Sequence, residues 1–290
     1  MNSSESFECT ICRSTASTLL AVRQHPAHHY RLCRACGTGQ LTPLPTRPEQ
    51  LYTRDYFVQG GEIAGYVDYE ADERWHRLTA RQRLRRLESA RSTHPGILEP
   101  GTLADVGAAT GFFLDVAREA GWQATGVETS AWAAQRARDK GHPVVGELCQ
   151  VAGPLDAVCF FQVLEHLADP RLALQQAAER LVEGGTVICE TWDVGSRTAR
   201  WAGSRWQQLS PPSVLWLFTR AGMARMACDA GLELVAWRPT PKLVSLSTVL
   251  GQQVGASNHG LAARLLRGVG RFAAAPYPLD DLVTAVLQKS

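Results

Sequence analysis

Two cysteine pairs near the start of the chain carry its most specific chemical signal. Cys9-Thr-Ile-Cys12 and Cys33-Arg-Ala-Cys36 form CxxC…CxxC, with twenty residues between the pairs. Two residues between cysteines let each pair grip one ion from a tight turn, and two such knuckles complete a tetrahedral S4 site. Gly37, directly after the second pair, supplies the backbone freedom a knuckle needs. Disulfides are disfavoured in a reducing cytosol, and a redox CxxC would not need two copies. Zinc held by Cys9, Cys12, Cys33 and Cys36 would have no open coordination position, so it is expected to fold the segment and perform no chemistry. Cys149, Cys159, Cys189 and Cys228 stand singly in apolar surroundings and are expected to be buried, inert thiols.

A glycine turn is the second signal: Asp105-Val-Gly107-Ala-Ala109-Thr-Gly111-Phe-Phe. A dinucleotide fingerprint beginning at Gly107 would place glycines at 109 and 112, where Ala109 and Phe112 stand. A phosphate-binding loop would need Gly-Lys-Ser/Thr, which is absent. The pattern fits a turn whose backbone approaches a bulky ligand without phosphates. Asp105 can accept a hydrogen bond from an ammonium, and Gly107 and Gly111 leave room beside the backbone. Glu128, at the end of the next strand, can hold two ribose hydroxyls, and no basic residue beside it suits a 2′-phosphate. S-adenosylmethionine (SAM), a nucleoside bearing an amino acid, meets these demands.

Four segments in order strengthen this: LADVGAATGFF, GVETS, LDAVCFFQVLEHLADP and LVEGGTVICETW. Residues 103–237 resemble a class I SAM-dependent methyltransferase, with Ala109 standing where that family usually has its middle glycine. The resemblance assigns SAM contacts to Asp105, Gly107, Ala109 and Gly111 at the methionine end and to Glu128 and Thr129 at the ribose. It places Leu148 and Gln162 near the adenine and the sulfonium. Upstream, CxxC…CxxCG, a Pro-rich stretch and Leu51-Tyr52…Asp55-Tyr56-Phe57 are similar to bacterial methyltransferases with an N-terminal zinc-binding domain. Many of those serve sugar or natural-product pathways. In the deoxysugar C-methylating members a Glu-His pair is the base; here the corresponding residues are Ser213-Val214, so that dyad is missing.

Methyl transfer from a sulfonium is an in-line displacement, so alignment and water exclusion supply much of the rate, and a hydroxyl acceptor adds the need for a base. His166 follows the strand at 156–161, is expected to face the crevice at the sheet's carboxyl edge, and is of a residue type whose unperturbed pKa suits base duty. It is the candidate catalytic base; its alternative role is to fix the loop before Asp169. Glu165 is the candidate that orients it. The Leu-Glu-His segment also resembles that of ubiquinone-pathway O-methyltransferases, where it serves a divalent ion, but those enzymes carry an acid where Gln162 stands. Trp192, Trp201, Trp206 and Trp216 fall within 25 residues after the strand at 186–190 and, with Tyr56, Tyr66 and Tyr69 from the connector, are candidates to wall an apolar acceptor, with ordinary core and lid packing as the alternative.

These residues require a doubly wound α/β architecture to bring them together. Strands at 103–106, 125–128, 156–161, 186–190 and 232–237 alternate with helices at 111–120, 130–140, 171–182 and 219–230, and the tail 281–288 reads as a last strand. Asp169 as N-cap with Pro170 at N1 opens one helix, and Glu183-Gly184-Gly185 is expected to stop it. The expected fold is a Rossmann-like, seven-stranded, mostly parallel sheet with a small N-terminal zinc ribbon. Residues 1–45 would form the ribbon, 46–98 an aromatic connector and amphipathic helix, and 99–290 the methyltransferase domain with lid and C-terminal strand. The helix at 69–91 holds seven arginines, read as a solvated face.

Composition narrows the function. Of 290 residues, 30 are Lys or Arg and 28 are Asp or Glu, a net charge of +2, and 45% are hydrophobic. That balance, only three lysines and the absence of an Asn/Asp-Pro-Pro-Tyr segment argue against a nucleic-acid partner. No apolar run reaches the ~18 residues that span a bilayer, and MNSSESFECT lacks the shape of a signal peptide, so a cytoplasmic protein is expected. The leading expectation is an O-methyltransferase, with N-methylation next, acting on a secondary metabolite or sugar-like small molecule. The alternatives are an rRNA base methyltransferase with a zinc ribbon and a catalytically silent SAM-binding zinc adaptor. Acceptor identity and oligomeric state are not legible in the sequence.

Overall fold

A computed structural model of the chain describes residues 7–58, 69–91, 100–245, 274–277 and 279–289. In chain order its elements begin with β1 (Ser17–Ala21), β2 (His29–Cys33), β3 (Gly39–Thr42), α1 (Arg54–Val58) and α2 (Glu73–Arg91). The central part comprises β4 (Thr102–Val106), α3 (Phe112–Glu119), β5 (Gln123–Val127), α4 (Ala131–Asp139), β6 (Val144–Val145) and β7 (Leu155–Phe161). It continues with α5 (Pro170–Arg180), β8 (Leu181–Trp192), α6 (Arg197–Ala202), β9 (Trp216–Leu217) and α7 (Arg220–Asp229). Strands β10 (Leu232–Pro239), β11 (Lys242–Ser245), β12 (Ala274–Tyr277) and β13 (Leu282–Lys289) complete the description. None of the described helices is long and apolar enough to cross a membrane.

The central sheet has seven strands in the order β10-β13-β8-β7-β4-β5-β6. Neighbours from β6 through β8 run parallel, and β13 is inserted antiparallel between β8 and β10. Side chains alternate across the sheet, as a strand's twofold period requires. Leu103 and Cys159 pack under α2 and α3 with Leu84, Leu87 and Phe113. Ala104, Phe160 and Cys189 pack on the other face with Leu174 of α5 and Met223 and Met226 of α7. Strand order reverses beside β4, so the turn after that strand opens at the switch point where doubly wound sheets bind ligands.

Three expectations need correction. Helix α5 starts where expected, with the Asp169 carboxylate accepting from Arg171 N–H and Leu172 N–H at 3.0 Å each, but it ends at Arg180. The glycine pair does not stop it; it lies inside β8, where Leu155 pairs Leu181 and then Ala157 pairs Thr186, so residues 182–185 bulge with Gly184 at φ +72°. The α2 arginines are not a merely solvated face. Arg77 pairs with Asp115 and Glu119, Arg83 and Arg86 with Glu190, and Arg91 with Asp156 while lying 4.5 Å from the Trp122 ring centroid. Finally, Cys159 and Cys189 are buried, but Cys149 and Cys228 are exposed.

The N-terminal segment does not pack alone. Its strands form a sheet in the order β1-β2-β3-β9, so Gly39 and Gln40 pair with Leu217 and Trp216. Ile11, Tyr30 and Leu41 share one buried cluster with Leu215, Phe218 and Met223. A segment too short to build its own core is thus supported by a neighbouring one as well as by its cysteines.

Candidate cofactor crevice and cysteine centre

The four N-terminal cysteines come together. Their sulfurs all lie within 4.8 Å of one another, with Cys9 Sγ 3.7 Å from Cys36 Sγ and Cys12 Sγ 3.5 Å from Cys33 Sγ. Zinc–sulfur bonds of about 2.3 Å put tetrahedral sulfurs about 3.8 Å apart, so this donor set fits a structural zinc ion. The hydrogen bond between Cys9 and Cys36 holds the Cys36 thiol below its ordinary range and pushes the Cys9 thiol up.

At the carboxyl edge of the sheet, the turn after β4 is shaped by its glycines. Gly107 sits at φ +74°, and a Cβ there would overlap the Val163 side chain. Gly111, at φ +88°, caps α3, and a Cβ would stand 3.1 Å from His142 Cδ2 and 3.2 Å from Ala137 Cβ. Ala109 adopts φ +48°, the left-handed region that its middle-glycine position demands. Glu128 lies at the end of β5 and ties two turns together: its carboxylate accepts from Ala109 N–H at 2.9 Å and Ser130 N–H at 2.7 Å. Burial pushes its pKa up, against those same N–H groups. Thr129 is exposed, and Leu148 is buried in the short 3-10 turn after β6.

Asp105 is buried on the α2 side of the sheet, and its pKa is pushed up to about 7 by desolvation, opposed by Arg83 and aided by Glu128. Above it, the Arg83 guanidinium reaches the Glu190 carboxylate and lies 4.6 Å from the Phe161 ring centroid. Gln162, at the end of β7, is a second non-glycine residue with left-handed backbone, φ +60°, and its N–H donates to the Glu190 carbonyl at 2.7 Å. Two such backbones beside one crevice store strain where functional sites characteristically hold it.

His166 follows β7 in a 3-10 turn, Leu164–His166. Its Nδ1 lies 2.6 Å from the Ser213 carbonyl, which can only accept, so Nδ1 carries the proton and Nε2 keeps its lone pair. Burial lowers its pKa, opposed by the Ser213 carbonyl. Glu165 is fully buried, accepts from the Thr191 hydroxyl at 2.9 Å, and does not hydrogen-bond to the imidazole within the same turn.

Trp206 and Trp216 belong to one buried cluster against which Trp192 packs, so most of these tryptophans are core residues. Trp206 and Trp216 are buried, with indole N–H groups donated to Asp281 Oδ2 and the Leu167 carbonyl at 2.8 Å each. Trp192 is half-buried at the end of β8, and Trp201 is 83% exposed. Of the connector tyrosines, Tyr66 lies outside the described residues, while Tyr56 packs edge-on against Tyr52 and Phe57. Other connector aromatics dock on the helices beside the sheet: Phe57 stacks on Trp132, and Tyr69 stacks on His76 and Phe112. Tyr52 was missed by the sequence reading. Its ring meets His166 edge-on at 5.9 Å, and its phenol is pushed up by burial and by Glu165 and Glu128. Its hydroxyl and that of Thr110 in the glycine turn are buried without a hydrogen-bond partner among the described residues. The Leu51-Tyr52 motif was visible in sequence, but nothing there showed that it folds over the crevice.

Left-handed glycines where a Cβ would intrude, an acidic residue ending β5 and two orphaned hydroxyls together fit SAM. A family model described as a methyltransferase domain matches residues 69–236, more than half of the chain. The chain belongs to that family and is a class I SAM-dependent methyltransferase. No curated protein matches the sequence. Among solved structures, it is similar to a SAM-dependent methyltransferase from Archaeoglobus fulgidus, with 14% identity and a TM-score of 0.52 over 81% of this chain and 99% of that one. It is also similar to magnesium protoporphyrin IX methyltransferase from Synechocystis with bound SAH, with 14% identity and a TM-score of 0.49 over 77% and 87% of the two chains.

Proposed function

We propose that the chain transfers the methyl group of SAM to a hydroxyl of a small secondary-metabolite or sugar-like acceptor in the cytoplasm, with an amine as the next candidate. The observation that carries this reading is the fixed tautomer of His166. With Nδ1–H donated to the Ser213 carbonyl, Nε2 is available to take a proton, and a hydroxyl acceptor needs such a base. The pairing of Arg77, Arg83, Arg86 and Arg91 within the molecule, together with a net charge of +2, supports a small acceptor over RNA.

In this reading Gly107, Ala109 and Gly111 give the methionine portion room beside the backbone, and Asp105 attracts its ammonium. Glu128 turns its remaining lone pairs to the ribose hydroxyls while holding the turns of Ala109 and Ser130, with Thr129 beside it. Leu148 lines the adenine and Gln162 the sulfonium. When bound, SAM supplies an electrophilic methyl and a neutral thioether leaving group. His166 Nε2 removes the acceptor proton as the new bond forms, Glu165 keeps the 3-10 turn in place through Thr191, and Tyr52 with Tyr56 excludes water from one side. The acceptor wall falls to the connector aromatics and to Trp192; Trp206 and Trp216 support it from the core. The cysteine centre holds structural zinc.

His166→Ala tests this reading. We expect turnover to fall about 10²–10⁴-fold, the usual worth of a positioned base, with SAM affinity unchanged. Because burial lowers the imidazole pKa, wild-type turnover should fall only below the ordinary histidine range near 6.5, as the base becomes protonated. Equal turnover in wild type and variant would remove His166 from the mechanism.

A further inference from the structure

Residues 213–219 are gripped from two sides. From the N-terminal sheet, the Tyr30 hydroxyl donates to the Val214 carbonyl at 2.7 Å, and Leu41 N–H donates to the Leu215 carbonyl at 2.9 Å. Next along, Trp216 and Leu217 pair with Gln40 and Gly39, and the Thr219 hydroxyl donates to the carbonyl of Cys36 at 2.5 Å. From the crevice, His166 Nδ1–H donates to the Ser213 carbonyl at 2.6 Å. Leu215 N–H donates to the Glu165 carbonyl at 2.7 Å, and the Trp216 indole donates to the Leu167 carbonyl at 2.8 Å. Ser213 and Val214 therefore present consecutive carbonyls, one to the imidazole and the next to the phenol of Tyr30.

We infer that this segment is a strap through which the cysteine module positions the imidazole, and that Tyr30 is a positioning residue for His166. Tyr30 is fully buried, with its ring in the cluster shared by Cys9, Cys33 and Cys36. Its hydroxyl fixes the Val214 peptide, and a fixed Val214 fixes the preceding carbonyl that selects the tautomer of His166. A positioned base loses much of its effect when displaced by about 1 Å, so a contact remote from the chemistry can govern its rate. The cysteine centre thereby gains a role beyond stapling its own turns: it anchors the ribbon side of the strap through Cys36 and Thr219. Only the rate readout below rests on His166 being the base; the tautomer readout does not.

The test uses the full chain loaded with zinc, with ¹⁵N-labelled histidine followed by long-range proton–nitrogen correlation spectra. Wild type should show His166 as the Nδ1-protonated tautomer. Tyr30→Phe keeps the ring and removes the hydroxyl; we expect the His166 signals to move toward a mixture of tautomers. Turnover should drop about tenfold with KM for SAM unchanged, and the substitution should cost nothing further in a His166→Ala background. Thr219→Val, which removes the donor to Cys36, should move the same signals and stands in if Tyr30→Phe fails to fold. Withdrawing zinc with a chelator should do so as well. Unchanged His166 signals in the folded variants would overturn the strap. Shifted signals with equal turnover in wild type and His166→Ala would retain the strap and reject the base.

Discussion

The buried pair between Arg83 and Glu190 offers the sharpest stability test. Glu190 is 2% exposed, and Arg83 reaches it from α2 while stacking over Phe161, with Arg86 contributing a weaker contact at 3.8 Å. Replacing Arg83 with Met keeps much of the apolar stem but removes the main cation facing a carboxylate in the core. Removing one partner of a buried pair costs about 3–5 kcal/mol. Arg86 stays close enough to compensate partly, so we expect a loss near the lower end, about 3 kcal/mol at pH 7.5. That is a large share of the 5–15 kcal/mol typical of a domain. Urea unfolding of wild type and Arg83→Met measures it. In the variant, Glu190 should have a raised folded-state pKa, so the penalty should be fully present above that value and vanish as pH falls toward the unfolded value of about 4.3. Adding Glu190→Gln should restore more than half of the loss. A loss below about 1 kcal/mol, the size of a surface pair, or one that ignores pH, would refute the view that α2 is clamped through buried charge.

Two further outcomes follow from the crevice. Gly107→Ala forces a Cβ into Val163 at a left-handed backbone and should abolish measurable SAM binding by calorimetry while leaving a folded protein; unchanged affinity would show that the turn does not cradle the cofactor. Asp105, with its folded pKa pushed up to about 7 against an unfolded value near 3.9, should contribute stability below pH 4 that is lost as pH rises through 7. The stability gained by Asp105→Asn in the cofactor-free protein should therefore grow across that window, and a difference flat between pH 4.5 and 8 would contradict the assignment.

Much of the fold could be read from local rules. Asp169-Pro170 opened α5 as capping chemistry requires, and the alternation of apolar runs with glycine turns placed β4, β5 and β7 within a residue or two. The bulge at Gly184-Gly185 was misread because a glycine pair after a helix looks like a stop whether the chain leaves the helix there or already runs in a strand. The arginines of α2 were misread for a different reason: their partners Asp115, Asp156 and Glu190 are distant in sequence, and periodicity shows a face without showing what it meets. The site divides the same way. The cysteine spacing, Gly107, Gly111 and Glu128 declare their chemistry locally. The hold of Ser213 on His166, the packing of Tyr52 against His166 and the burial of Trp206 and Trp216 arise from contacts between residues 47 to 114 positions apart.

Methyl transfer from SAM to a small acceptor is tested most directly by following the methyl group itself. The purified protein would be incubated with methyl-tritiated SAM and, separately, with the low-molecular-weight and RNA fractions of its source cells. Label should appear in the low-molecular-weight fraction, depend on His166 and leave RNA unlabelled. Label in RNA, or tight SAM binding with no transfer to either fraction, would contradict the claim.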